Sequence, residues 1–143
     1  MDGFLLGVAS FLLVLIPLVV IHEFGHFIAA KLVGITVLEF GIGFPPRAAV
    51  LFRRGETIYT LNWLPIGGFV RPFGEDMVSP KSEEHLTGDR KELAERGVTN
   101  PKSVQQASPW ERLLFFIAGP GINFIAALVL FVVIALVGQP FAR

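Results

Sequence analysis

Cysteine is absent from this 143-residue chain, which excludes disulfide bonds and thiolate metal sites. Charged residues are scarce as well: they make up 17% of the sequence, against about a quarter in soluble domains. Two long segments, residues 3–21 and 113–137, carry no charge at all. At about 1.5 Å per helical residue, each segment can cross the roughly 30 Å of hydrocarbon in a bilayer. We therefore predict a multi-pass membrane protein with two transmembrane helices in contact with lipid.

The first apolar segment lacks the pattern of a cleaved signal peptide. It is preceded by Asp2 and by no Lys or Arg, and no small-x-small cleavage site follows it. The helical pattern instead continues through Ala29 and Lys31. We predict a first span over residues 4–33 that ends at Gly34, because glycine readily adopts the left-handed conformation that closes a helix.

The segment between the spans has an apolar part and a polar part. Residues 35–74 are rich in β-branched and aromatic residues and are punctuated by Gly and Pro. This pattern predicts a β-hairpin region with short strands near 36–42, 48–53, 56–62 and 67–71. The apolar character of the region favours a small sheet that lies against the membrane or dips into it. Residues 75–107 predict a polar, mobile loop with at most one short helix around 89–96.

The second span begins at the stretch "SPWE", residues 108–111. Serine as N-cap, proline at the first helical position and glutamate three residues after the cap form a capping box. We predict a helix over residues 109–137. The predicted fold is thus mainly α-helical, with two transmembrane helices joined by a segment that contains a small membrane-associated β-sheet.

The distribution of charge predicts how the chain is oriented. All Lys and Arg residues except Arg143 lie between Lys31 and Arg112. Positive residues near span ends favour the cytoplasmic side, so we expect a cytoplasmic central segment and both termini on the far side. The formal net charge is zero, and we expect no nucleic-acid partner.

One motif in the first span indicates chemistry. "HEFGH", residues 22–26, matches H-E-x-x-H. On a helix, His22 and His26 lie about 40° apart on one face, so both can bind one zinc ion, while Glu23 can act as a general base. The alternative is that all three are structural residues satisfied by neighbouring hydrogen bonds. Ionisable groups inside membrane helices usually mark function, which favours the metal site.

A catalytic zinc site normally has three protein ligands, and the third is not evident. Ala29 and Leu32 occupy the positions where metzincins have glycine and histidine, which excludes that group. His85 is the remaining histidine, and a solvated loop residue is a better interpretation of it than a ligand. No acidic residue lies in the apolar run of the second span. We predict that the third ligand is missing from this chain.

Several stretches together resemble the site-2 proteases, a family of intramembrane zinc metalloproteases that includes the bacterial regulator-of-sigma-E proteases. Besides "HEFGH", they are "FGIGFPP" (40–46), "LPIGGFVRPFGE" (64–75) and "ERLLFFIAGPGINF" (111–124). The resemblance implies zinc ligation by His22 and His26, catalysis by Glu23, and cleavage of transmembrane substrate proteins in regulated intramembrane proteolysis. It also implies a location in the bacterial inner membrane.

In this family the third ligand is an Asp on a later membrane span, in a motif that this sequence does not contain. Residues 1–143 therefore look like the N-terminal half of such an enzyme, with a missing C-terminal half as the partner that supplies the Asp.

Other interpretations stay open at this point. Membrane zincins of the CAAX-processing or heat-shock type use a Glu ligand from a later helix, and the strand-like residues 35–74 argue against them. A non-catalytic pseudo-protease or helix-binding membrane scaffold is the other alternative. Asn123 either serves helix packing or acts near the active site. Gly67 and Gly68 either expose a strand edge to substrate or allow a bulge.

Overall fold

The first element is a long apolar helix. The computed structural model describes residues 2–75 and 82–138, and its helix α1 spans Gly3–Val33. Gly34 follows with a φ of 78°, and its N–H donates to the carbonyl of Ala30. At about 1.5 Å per residue the helix is roughly 46 Å long. By length and composition it is able to cross a membrane.

Two long strands follow α1 and form an antiparallel sheet. They are β1 (Val37–Arg54) and β2 (Thr57–Pro72), joined by a turn in which Gly55 has a φ of 62°. The first part of β1, residues 37–42, pairs with both ends of β2, at residues 58–61 on one edge and 68–72 on the other.

The four short strands predicted from the sequence are therefore segments of two long strands that bend. β1 passes through a cis Pro45–Pro46 peptide, and β2 passes through Gly67, which has a φ of 79°. Such residues interrupt a strand pattern in sequence, whereas the chain keeps its pairing on both sides of the bend.

The polar region contains more ordered structure than the predicted mobile loop. Helix α2 spans Ser82–Glu95, so it starts seven residues before the predicted short helix. Leu93 is fully buried in a cluster with Leu38 and Phe73. Leu86 of α2 also packs against this cluster, and Arg71 adds ion pairs to the acidic face of α2. Residues 76–81 of the predicted loop lie outside the described part of the chain.

The last element is helix α3, Pro109–Val137. It has the predicted cap: the Ser108 hydroxyl accepts from the Glu111 N–H, and the Glu111 carboxylate accepts from the Ser108 N–H. Its mean hydropathy reaches 2.6 over 18 residues, and the corresponding value for α1 is 3.0. Neither window is buried by protein, which distinguishes both helices from the core helix of a soluble fold. The predicted class is thus confirmed in its coarse form, mainly helical with two candidate membrane-spanning helices and a small sheet.

Helices α1 and α3 pack closely because glycine lies at their contact. A Cβ added to Gly25 would stand 2.5 Å from the Ala118 carbonyl oxygen and 2.7 Å from the Ile122 side chain. Further towards the C-terminal end of α1, a core cluster joins the helix pair to the start of the sheet; it contains Ala30, Ile35, Val37, Val104, Ala107 and Phe115.

The sheet packs on α1 at a level well inside the apolar run. A Cβ on Gly67 would meet the Val19 side chain at 2.9 Å, and one on Gly68 would meet the Gly41 carbonyl at 2.7 Å. Val20 also lies near Gly68. Both glycines therefore have a steric reason to be glycine, because a side chain at either position would meet its neighbours.

Candidate metal centre

Helix geometry brings two imidazoles of α1 together. His22 and His26 are one turn apart, and their Nε2 atoms lie 3.1 Å from each other. The rings meet edge to face, with centroids 4.8 Å apart. Both side chains are half-buried. The sequence prediction that these histidines share one face is consistent with this arrangement, since i and i+4 positions lie one above the other on a helix.

Helix α3 contacts the second nitrogen of each ring. His26 Nδ1 lies 2.8 Å from the Phe115 carbonyl oxygen, and His22 Nδ1 lies 3.3 Å from the Asn123 Nδ2. Histidine ligands commonly have their second nitrogen engaged in this way, which fixes the ring orientation. Both imidazoles are thus held from two sides.

Gly119 allows α3 to approach the rings. A Cβ at this position would stand 2.8 Å from His22 Nε2 and closer still to His26 Nε2. Gly119 is buried. The backbone of α3 therefore passes directly beside the two nitrogens that would bind a metal, at a distance that a side chain would prevent.

Glu23 lies at the edge of a small cleft next to His26. The cleft is lined by residues from α1, β2, α3 and the segment after β2: Glu23, His26, Val70, Glu75, Phe115 and Phe116. The Glu23 side chain is half-buried and contributes to the lining of this cleft. Its role as general base stays a prediction.

The two histidines fit a zinc ion. Two nitrogens each about 2.0–2.1 Å from one tetrahedral ion lie about 3.3 Å apart, close to the observed Nε2 separation of 3.1 Å. His26 Nδ1 also has the carbonyl acceptor that a zinc ligand bound through Nε2 requires, and His22 Nδ1 contacts the Asn123 amide. Within residues 2–75 and 82–138, however, no group of three His, Asp or Glu side chains is placed to hold a metal. His85 is exposed on α2 and does not join the pair.

Sequence reasoning did not foresee the α3 contacts to the rings. The sequence left open whether Asn123 serves helix packing or acts near the active site, and it gave no sign that Gly119 lies beside the rings. The contact from Phe115 is made by a backbone carbonyl, which any residue could supply. The polar amide inside the uncharged run of residues 113–137 was the one signal available in the sequence.

Charged residues tie α2 to the sheet and the hairpin turn to α1. Arg96 donates to the carbonyls of Leu38 and Glu56 at 2.8 and 2.7 Å, and pairs with Glu92. Burial lowers the pKa of Arg96, although Glu92 opposes that shift. At the hairpin turn, burial is the largest single influence and raises the pKa of Glu56, but the hydrogen bond to Lys31, a backbone hydrogen bond and the charge of Lys31 together outweigh it, so the net shift is downward.

The fold and the histidine pair define a class: an apolar two-helix protein with an H-E-x-x-H site of the metallopeptidase type. The sequence model of Peptidase family M50 matches residues 10–143, and the chain belongs to this family. The resemblance to site-2 proteases is therefore confirmed at the level of the family.

Relatives in several bacteria show the same affiliation. A protein of Thermotoga maritima is 36% identical over 129 residues, which cover 90% of this chain and 23% of that relative. Zinc metalloprotease RasP of Bacillus licheniformis is 42% identical over 99 residues, 66% of this chain and 23% of the relative. RasP of Geobacillus kaustophilus is 49% identical over 70 residues, 49% of this chain and 16% of the relative. The chain thus matches about a quarter or less of the length of these relatives, whose names support protease activity and zinc dependence.

Proposed function

We propose that this chain forms the zinc-binding part of an intramembrane metalloendopeptidase that cleaves transmembrane substrate proteins. The observation that supports this most directly is the convergence of the His22 and His26 Nε2 atoms, 3.1 Å apart, with both Nδ1 atoms engaged by α3. The pair lies within a helix that has the length and composition of a membrane span. Polar groups are costly at such a position and are usually functional.

Each residue of the motif has a separate role. His22 and His26 hold the zinc ion, which when bound acts as a Lewis acid on a peptide carbonyl and activates water. Glu23 takes the proton from the attacking water and delivers it to the leaving amine. The cleft beside Glu23 and His26 gives the scissile peptide access to this carboxylate.

The third ligand comes from outside these 143 residues, and the family resemblance points to an Asp on a further span. Two imidazoles alone form an incomplete site, so we expect the 143-residue chain in detergent to bind zinc weakly and to show no proteolysis. Co-expression with the Asp-bearing remainder of a family member should raise zinc affinity, because a third ligand completes the site. Tight stoichiometric binding by the chain alone, abolished by His85→Ala, would place the third ligand in this sequence and contradict the proposal.

The bilayer surrounds α1, α3 and part of the sheet. Gly67 and Gly68 pack at the level of Val19 and Val20, and Val20 lies about 20 Å along the helix from Val33 at 1.5 Å per residue. The bends of β1 and β2 then reach membrane depth, where non-helical backbone is tolerated against protein or beside a cavity. We place the protein in a bacterial inner membrane with α2 on the cytoplasmic side.

Replacement of the base tests the catalytic role. In a preparation whose third ligand is supplied, Glu23→Gln should bind zinc like the wild type but lose about 10²–10⁴-fold in the rate of substrate cleavage. His22→Ala should lose both zinc and cleavage. Glu84→Gln, the same chemical change on exposed α2, is the matched control and should leave both unchanged. Near-normal cleavage by Glu23→Gln together with an inactive His22→Ala would show that Glu23 is not the base.

A further inference from the structure

The hydrogen bonds around the histidine pair determine which nitrogens carry protons. The carbonyl oxygen of Phe115 is an acceptor only, and it lies 2.8 Å from His26 Nδ1. His26 must therefore donate from Nδ1, and in its neutral form the Nε2 atom has a free lone pair. This nitrogen faces His22 Nε2 at 3.1 Å.

The same reasoning determines which nitrogen of His22 carries the proton. Because His26 Nε2 accepts, His22 Nε2 must donate to it, which leaves His22 Nδ1 as an acceptor. The Asn123 Nδ2, a donor, lies 3.3 Å from that Nδ1. With Asn123 Nδ2 facing His22, the hydrogen bonds are thus donated from the Asn123 amide to His22, from His22 to His26, and from His26 to the Phe115 carbonyl.

One polar atom of the amide, Asn123 Oδ1, takes no part in these hydrogen bonds. It is buried and has no hydrogen-bond partner among the described residues. A buried acceptor without a partner is unfavourable in a low-dielectric site. The two ends of an amide have nearly the same size and differ only in whether they donate or accept, so rotation of the amide exchanges them without repacking of the helices.

Metal binding requires the opposite protonation of His22. Its Nε2 lone pair must face the metal, so its proton has to reside on Nδ1, with no net change in the number of protons. A proton on Nδ1 needs an acceptor, and the unpaired Asn123 Oδ1 is the acceptor within reach once the amide rotates.

We propose that Asn123 is a positioning residue for His22, whose amide Oδ1 accepts from His22 Nδ1–H when His22 Nε2 binds zinc. The inference rests on the proposed function, since it concerns the same metal site. It assigns the polar residue of α3 to the orientation of a ligand rather than to helix packing.

Two replacements of Asn123 separate this role from packing. Asn123→Asp keeps an acceptor for His22 Nδ1–H, whether or not its carboxyl is protonated, whereas Asn123→Leu has a similar size and offers neither donor nor acceptor. Gly121→Ala is the control on the same helix, because a Cβ there meets nothing within 4 Å. Zinc titrations use the chain in detergent at about pH 8, where imidazole is neutral, with and without the Asp-bearing remainder of a family member. The ¹⁵N signals of the histidine rings report which nitrogen is protonated.

We expect Asn123→Leu to weaken zinc binding about 10–100-fold, the usual effect of losing such an orienting partner, and Asn123→Asp and Gly121→Ala to bind within about threefold of the wild type or more tightly. In the wild type, the His22 proton should move from Nε2 to Nδ1 on zinc addition, and in Asn123→Asp it should reside on Nδ1 already without zinc.

Wild-type affinity in Asn123→Leu, or an equal loss in Asn123→Asp with His22 still protonated on Nε2, would overturn the inference. Unchanged zinc binding in His22→Ala and His26→Ala would instead overturn the proposed function, and with it this inference. If zinc binding needs both histidines but neither Asn123 replacement affects it, the metal site stands and Asn123 is a packing residue.

Discussion

Replacement of Gly119 by alanine should destroy the metal site while leaving the fold intact. The added Cβ would stand 2.8 Å from His22 Nε2 and closer to His26 Nε2, whereas ordinary contact begins at 3.4 Å. The His22 nitrogen must therefore retreat by about 0.6 Å, and metal sites hold their distances to within about 0.2 Å. The atoms that must move are the ends of side chains and not backbone, so α1 and α3 are expected to keep their packing.

The expected loss of zinc affinity is about 100-fold or more, at the upper end of what the loss of one orienting partner causes, because both ligands are displaced at once. Stability should not fall. Alanine favours a helix over glycine by about 0.5–1 kcal/mol, so thermal unfolding should occur at the same or a higher temperature. Gly121→Ala makes the same chemical change two residues away, where a Cβ meets nothing within 4 Å.

The assay combines a calorimetric zinc titration with circular dichroism melting of both variants in the same detergent. Lower affinity for Gly119→Ala alone, with equal helix content in both variants, is the expected result. Equal zinc affinity in the two variants would refute the placement of α3 against the imidazoles. A large loss of helix content in Gly119→Ala alone would show that the glycine serves helix packing rather than the site.

Three further predictions concern the rest of the molecule. A topology reporter inserted at residues 99–100, between α2 and α3, should behave as cytoplasmic, and an external signal would invert the proposed orientation. Leu93→Ala should cost about 2–5 kcal/mol of local stability, since the side chain is fully buried, and should make α2 susceptible to proteases; resistance equal to the wild type would contradict its docking on the sheet. The lowered pKa of Glu56 means that its pairing with Lys31 stabilises the fold above the ordinary value of 4.5 and is lost as the pH falls through the folded pKa. Melting of wild type and Glu56→Gln should therefore differ near neutral pH and converge in acid, and a difference that persists in acid would argue against this pair.

The parts of the fold that depend on local patterns could be predicted from the sequence. The two apolar helices follow from long uncharged runs, and the boundaries of α3 follow from the Ser108 capping box and the residues that precede it. The position of α2 against the sheet could not be predicted in the same way. Its docking depends on Leu93 and on ion pairs to Arg71, which lies in a different element. A polar segment with few apolar residues has the composition of a loop. A single sequence does not show that such a segment has charged partners in another element.

The candidate site also has one part that the local sequence predicts and another that depends on residues distant in the chain. His22 and His26 converge because a helix repeats every 3.6 residues, and the motif alone therefore predicts the pair. The groups that orient the rings are the Phe115 carbonyl and the Asn123 amide. They lie 89 and 101 positions later in the chain than the histidines that they contact. Their register against α1 is set by glycines at the helix contact, since Gly25 admits the backbone of α3 and Gly119 admits the imidazoles. A single sequence gives little indication of contacts that are made by a backbone carbonyl or allowed by two glycines. Asn123 is different, because an amide in the uncharged run of residues 113–137 must find a partner, and the H-E-x-x-H motif is the polar cluster of the neighbouring span.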